Sequence, residues 1–108
     1  MITNTLTGTT VNTYADALSL RVAEFAHKTI LLKNTHSSNG LHYKLLGYAY
    51  PPASGIAKEL VAEATLAAAG IVSFEYRQQW FHFTLQVKSA VADSHATYQV
   101  DYSLEGGY

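Results

Sequence analysis

Apolar and polar residues alternate with a period of two along most of this chain from Leu18 onward, the pattern of strands with one buried and one wet face. In ALSLRVAEF, Leu18, Leu20 and Val22 alternate with Ser19, Arg21 and Ala23. KTILLKN (28–34) is a short apolar run bracketed by lysines, and HSSNG (36–40) follows as a turn. Asn39 and Gly40 both tolerate positive φ, so this dipeptide is a strong hairpin signal. LHYKLLGYAY (41–50) then reads as the partner strand, and the spacing predicts a hairpin centred on residues 38–40. Pro51 and Pro52 end that strand, since neither can donate to a ladder. Beyond residue 70 the alternation returns, with Val72, Phe74 and Tyr76 against Ser73, Glu75 and Arg77. It is clearest in 80–89, where Phe81, Phe83, Leu85 and Val87 oppose His82, Thr84, Gln86 and Lys88. A last strand sets Tyr98, Val100 and Tyr102 against Thr97, Gln99 and Asp101.

Two segments depart from this pattern. IAKELVAEATLAAAG (56–70) has the Ala, Leu, Glu and Lys content of a helix, with Ile56, Leu60, Val61 and Ala64 able to share a helical face. The same residues also alternate, and the strands on both sides favour reading 59–66 as a strand. Residues 1–14, MITNTLTGTTVNTY, carry Thr and Asn but no charged side chain before Asp16. Branched Thr favours extended backbone, so this stretch is expected to be an extended arm, either ordered on a neighbour or frayed. About seven short strands with brief connections imply an all-β, two-layer antiparallel sandwich, jelly-roll-like, at 15–108, with the arm at 1–14. A barrel is the alternative closure.

Composition narrows the function classes. At 108 residues one domain can hide roughly two thirds of its unfolded surface. Only 14% of residues are charged, and the formal net charge is −1, so no basic face announces a nucleic-acid partner. Weak mutual repulsion tolerates self-association. With no cysteine, disulfides, thiolate metal sites and thiol nucleophiles are excluded. No apolar run has the ~18 residues of a membrane span, and the first residues lack the charged start of a signal peptide; a soluble chain with no membrane partner is the expectation.

Candidate chemistry is thin. The histidines 27, 36, 42, 82 and 95 lack the tight spacing of metal ligands, although His36 and His42 would approach across the expected hairpin. Asp93, Ser94 and His95 hold the residue types of a hydrolase triad, but triad members converge from separate segments, and a turn explains the run better. Glu59 and Glu63 would share one side of a strand or helix, as solvated pairs often do. No phosphate-cradling glycine loop precedes a helix, and no cofactor is implied.

Tyrosine is the distinctive residue, eight in all. Tyr48 and Tyr50 share a strand face with His42, Lys44 and Leu46, opposite Tyr43, Leu45 and Gly47, so both faces carry bulk. Three readings stand: rings covered by the chain's own loops, rings that dock a neighbouring subunit, or a sugar-stacking platform. The residues expected at an interface are Thr9, Thr10 and Val11 of the arm with Tyr48, Tyr50, Trp80, Tyr102 and Tyr108.

The succession HKTILLKNT, GLHYKLLGYAY, ELVAEATLAAAG and WFHFTLQVKSAVADSHATYQVDYS resembles small β-sandwich structural proteins of tailed bacteriophages and related viruses. The likeness lies in a lysine-flanked apolar strand ending in Asn (28–34), a strand ending near Gly (41–47) and a late Val-Lys-Ser to Val ending (87–100), and it spans 17–103. It implies a non-enzymatic virion protein, a capsid decoration (cement) protein or a tail or fibre component, made in the host cytoplasm. The partners implied are further copies of itself, a trimer among the options, and virion proteins such as the major capsid protein. A carbohydrate- or receptor-binding fibre module is the competing reading, and a small hydrolase a third.

Overall fold

The computed structural model describes residues 1–53 and 55–107. Its strands are β1 (Ile2–Thr9), β2 (Ala15–Arg21), β3 (His27–Asn34), β4 (Leu41–Tyr48), β5 (Ala57–Leu66), β6 (Ile71–Tyr76), β7 (His82–Ser89) and β8 (Thr97–Glu105). They form two four-stranded sheets, ordered β1-β8-β3-β6 and β2-β7-β4-β5. Every pairing is antiparallel. Each connection except β4–β5 carries the chain from one sheet to the other, which is the winding of a jelly roll.

The alternation places the core. On the inner faces Ile30 and Leu32 of β3, Leu41 and Leu45 of β4, Phe83 and Leu85 of β7, and Val100 of β8 are essentially sealed from solvent. Burial of each such side chain stabilises the fold by about 1.5–3 kcal/mol. Aromatic contacts join the sheets: Tyr43 meets Phe74 edge-on at 5.7 Å between centroids, and Tyr76 meets Phe83 at 5.4 Å. Such pairs contribute roughly 0.5–1.5 kcal/mol beyond area.

The helix-prone segment is a strand. Residues 57–66 pair with β4, with register shifts between Tyr43 and Leu45 and between Leu45 and Leu46. β4 would otherwise present an open edge, and tertiary pairing outweighs local propensity here.

Two expectations are corrected. The first concerns the hairpin at 38–40, because β3 and β4 lie in opposite sheets. Neither Asn39 nor Gly40 has positive φ, so the turn is not of the hairpin type. Both edges of β3 are already filled, by β8 and β6. The second concerns the arm. Residues 2–9 are extended, but they pair along their whole length with β8 and supply the eighth strand. The sequence shows a strand former without showing which edge will receive it.

Buried polar groups fix the two ends of β3. The side-chain amide of Asn34 donates to the carbonyls of Asn39 (2.9 Å) and Leu66 (3.1 Å), and its oxygen accepts the His36 N–H at 2.9 Å. At the other end Lys28, fully buried, donates from Nζ to the Gln78 carbonyl at 2.6 Å. Both side chains hold loops, because an unpaired buried polar group would be costly.

Candidate interaction surfaces

The connections β1–β2, β3–β4, β5–β6 and β7–β8 gather at one end of the sandwich. Hydrogen bonds stitch this end. Thr10 Oγ1 lies 2.8 Å from Ser89 Oγ and accepts the Ala96 N–H, while Ser89 Oγ lies 2.9 Å from His95 Nδ1. Thr10 is therefore buried inside its own chain, a correction to its expected place at an interface. Thr9 and Val11 on either side are exposed.

Asp93, Ser94 and His95 do not converge. Asp93 pairs with Asn12, and His95 faces Ser89. Ser89 itself is buried. His36 and His42 are likewise apart in role. Nδ1 of His36 accepts the N–H groups of Ser38 and Asn39, and Nδ1 of His42 meets Thr65 Oγ1. Among the described residues no three His, Cys, Asp or Glu side chains come together as metal ligands would.

The outer face of the β2-β7-β4-β5 sheet carries a polar cluster that sequence reading missed. The Tyr14 ring receives the Lys44 and Lys88 ammonium groups at 4.4 and 4.9 Å from its centroid. Its hydroxyl donates to Glu63. Burial and this carboxylate push the Tyr14 phenol well above the ordinary tyrosine range. The same hydrogen bond and Lys88 hold the Glu63 carboxyl below its usual value, the reverse of the shift an acid catalyst needs. Tyr14 stands outside any alternation, so only the tertiary pairing reveals its place. Farther along, Tyr48 stands edge-on to His82 at 6.0 Å, and His82 Nε2 meets Ser19 Oγ at 2.8 Å.

The opposite end displays apolar groups. Tyr50 is 68% exposed and Ile56 is 91% exposed, both in the β4–β5 connection with Pro51 and Pro52. Trp80 is half-buried and packs against Gly47, where a Cβ would stand 3.1 Å from Cε3 of the indole. Its indole N–H is buried, with no hydrogen-bond partner among the described residues. Tyr102 is half-buried on β8. Tyr108 lies outside the described residues. The sequence offered Ile56 only as one position of a possible helical face; with 57–66 a strand, that face does not form and Ile56 is left exposed before it.

A shallow groove of about 320 Å³ crosses the outer face of the β1-β8-β3-β6 sheet, lined among others by Thr3, Thr5, Thr29, Leu31, Asp101 and Ser103. Thr5 Oγ1 donates to Asp101 Oδ1 at 2.8 Å, and Gln99 Nε2 donates to the same carboxylate.

No protein-family model matches the chain. No curated protein matches it by sequence. Solved structures share the fold. PirA superposes with a TM-score of 0.63 at 15% identity, covering 92% of this chain and 93% of that one. A structure of Bacillus endospore appendages, described as disulfide-linked pili, gives 0.55 at 14% identity over 96% and 87%. The SPBc2 prophage-derived protein YomS gives 0.50 at 11% identity over 95% and 96%. At such identities the likeness establishes the architecture alone, and the chain is similar to all three as a small β-sandwich.

Proposed function

We propose that the chain is a virion structural protein that works by adhesion, a capsid decoration (cement) protein binding neighbouring capsid subunits. The observation that carries this reading is the exposed apolar pair, Tyr50 and Ile56, in the β4–β5 connection at one end of the sandwich. Aromatic and aliphatic anchors of this kind dominate interface energy when a partner seals them, and repetition over a lattice multiplies modest affinities by avidity. Sharing a fold with a prophage-derived protein and with endospore appendages described as disulfide-linked pili supports it. Co-sedimentation of the purified chain with phage capsid shells tests the reading. Saturable binding weakened at least tenfold in Tyr50→Ala/Ile56→Ser supports it; no association with any virion component removes it.

The groove beside Asp101 favours a second reading, a fibre module that binds carbohydrate. Hydroxyl, amide and carboxylate groups line it, the groups that hydrogen-bond sugar hydroxyls. Glycan-array binding abolished by Asp101→Ala would select this reading over adhesion to protein.

A further inference from the structure

Four strands form the edges of the two sheets: β1, β6, β2 and β5. An edge strand exposes unpaired N–H and C=O groups and templates another strand unless charge, proline or a bulge blunts it. Three of these edges are blunted. β2 carries Asp16 and Arg21 and shifts register between Asp16 and Leu18. β5 carries Lys58, Glu59 and Glu63 and shifts register twice along β4. β6 is short, at 6 residues, and bears Glu75.

β1 has none of these devices. Its 8 residues, ITNTLTGT, contain no charge and no proline, and run against β8 without a register break. Residues 2–5 are all exposed. The Thr10 N–H donates to the Ala96 carbonyl, so the alternation of a strand turns the N–H groups of Thr3, Thr5, Thr7 and Thr9 away from β8. The Thr5 N–H indeed meets Asn4 Oδ1, a local substitute for a ladder partner. Among the described residues no other strand pairs with this outer edge.

We propose that β1 is a self-association seam, at which a second copy of the chain adds its own β1 antiparallel across a two-fold axis. A second copy is the occupant that the strand's own pattern fits. A two-fold axis normal to the sheet keeps the outer faces together, so odd-numbered residues oppose odd-numbered ones. Those are Thr3, Thr5, Thr7 and Thr9. With the axis at Leu6, Thr3 faces Thr9 and Thr5 faces Thr7; with the axis at Thr5, Thr3 faces Thr7 and Thr5 faces its twin. Thr–Thr is a favourable cross-strand pair. The strand has no side-chain charge to repel its twin, and the two four-stranded sheets become one continuous sheet through an isologous interface. This seam is independent of the virion reading, since it concerns only copies of this chain.

The test is sedimentation of the full chain over a wide concentration range, with Thr5→Lys and Thr5→Pro variants. The expected result is a concentration-dependent dimer, its dissociation constant raised at least tenfold by Thr5→Lys. That substitution adds like charges at the seam and leaves the β1–β8 backbone ladder in place, while the Thr5–Asp101 side-chain bond is lost. Thr5→Pro removes an outward N–H; circular dichroism shows whether it stays folded, and Thr5→Lys decides the matter if it does not. Amide exchange gives a second readout, with the Thr3, Thr5 and Thr7 amides gaining protection as concentration rises. A wild-type chain that stays monomeric at millimolar concentration overturns the seam. A dimer indifferent to Thr5→Lys, with those amides unprotected, overturns it equally.

Discussion

Asn12 and Asp93 hold each other reciprocally. The Asn12 side-chain amide donates to Asp93 Oδ1 at 2.9 Å, and its oxygen accepts the Asp93 N–H at 2.8 Å. Asp93 sits at φ 66°, in the left-handed region, which Asp tolerates better than most residues. The pair ties the β1–β2 connection to the β7–β8 connection. Asn12→Ala removes both bonds at an exposed site, and a loss of about 1–2 kcal/mol is expected. Urea unfolding measures it; an unchanged midpoint would show the link to be dispensable.

Gly8 lies opposite Tyr98 in the β1–β8 register, and a Cβ added there would fall on the phenol hydroxyl. Gly8→Ala therefore forces the ring outward, a strain of about 1–3 kcal/mol. Burial raises the Tyr98 phenol above its ordinary value, and the displaced ring should titrate lower. Spectrophotometric titration beside a denaturation curve reads both effects.

His82 is held below its ordinary pKa by desolvation, partly opposed by Asp16. The folded state thus prefers the neutral ring, and the unfolded chain binds a proton first as pH falls. His82's contribution to stability is full above the ordinary histidine value of about 6.5 and is lost as pH falls through the lower folded value. Chemical denaturation across pH 7.5 to 4.5 should show this decline, and His82→Gln should flatten it. A stability that rises on acidification through that window would contradict the burial of the ring.

Ala69 occupies a turn at φ 64°, with the Gly70 N–H bonded to the Ala67 carbonyl. A left-handed residue with a Cβ costs about 1–2 kcal/mol, while glycine brings back roughly 0.5–1 kcal/mol of chain entropy. Ala69→Gly is expected to be neutral or to stabilise by up to about 1 kcal/mol. A clear loss in melting temperature would show that the methyl packs.

The alternation in the chain determined the fold class and most inner faces. Leu18, Phe74, Phe83, Leu85 and Val100 are buried where the period of two places them, because a strand's side chains must take opposite sides. Pairing was another matter. Residues 38–40 have hairpin chemistry yet join opposite sheets, and residues 2–9 look like a loose arm yet fill the edge of β8. Local sequence sets which way a side chain points; which strand lies beside which depends on contacts between distant segments. The same holds for the surface. The excess of tyrosine was visible at once, but Thr10 turned inward, Tyr14 took its place among Lys44, Lys88 and Glu63, and Ile56 stood out, each decided by the packing of remote strands. A residue's exposure is a property of its neighbours in space, and those neighbours are known only once the two sheets have closed on each other.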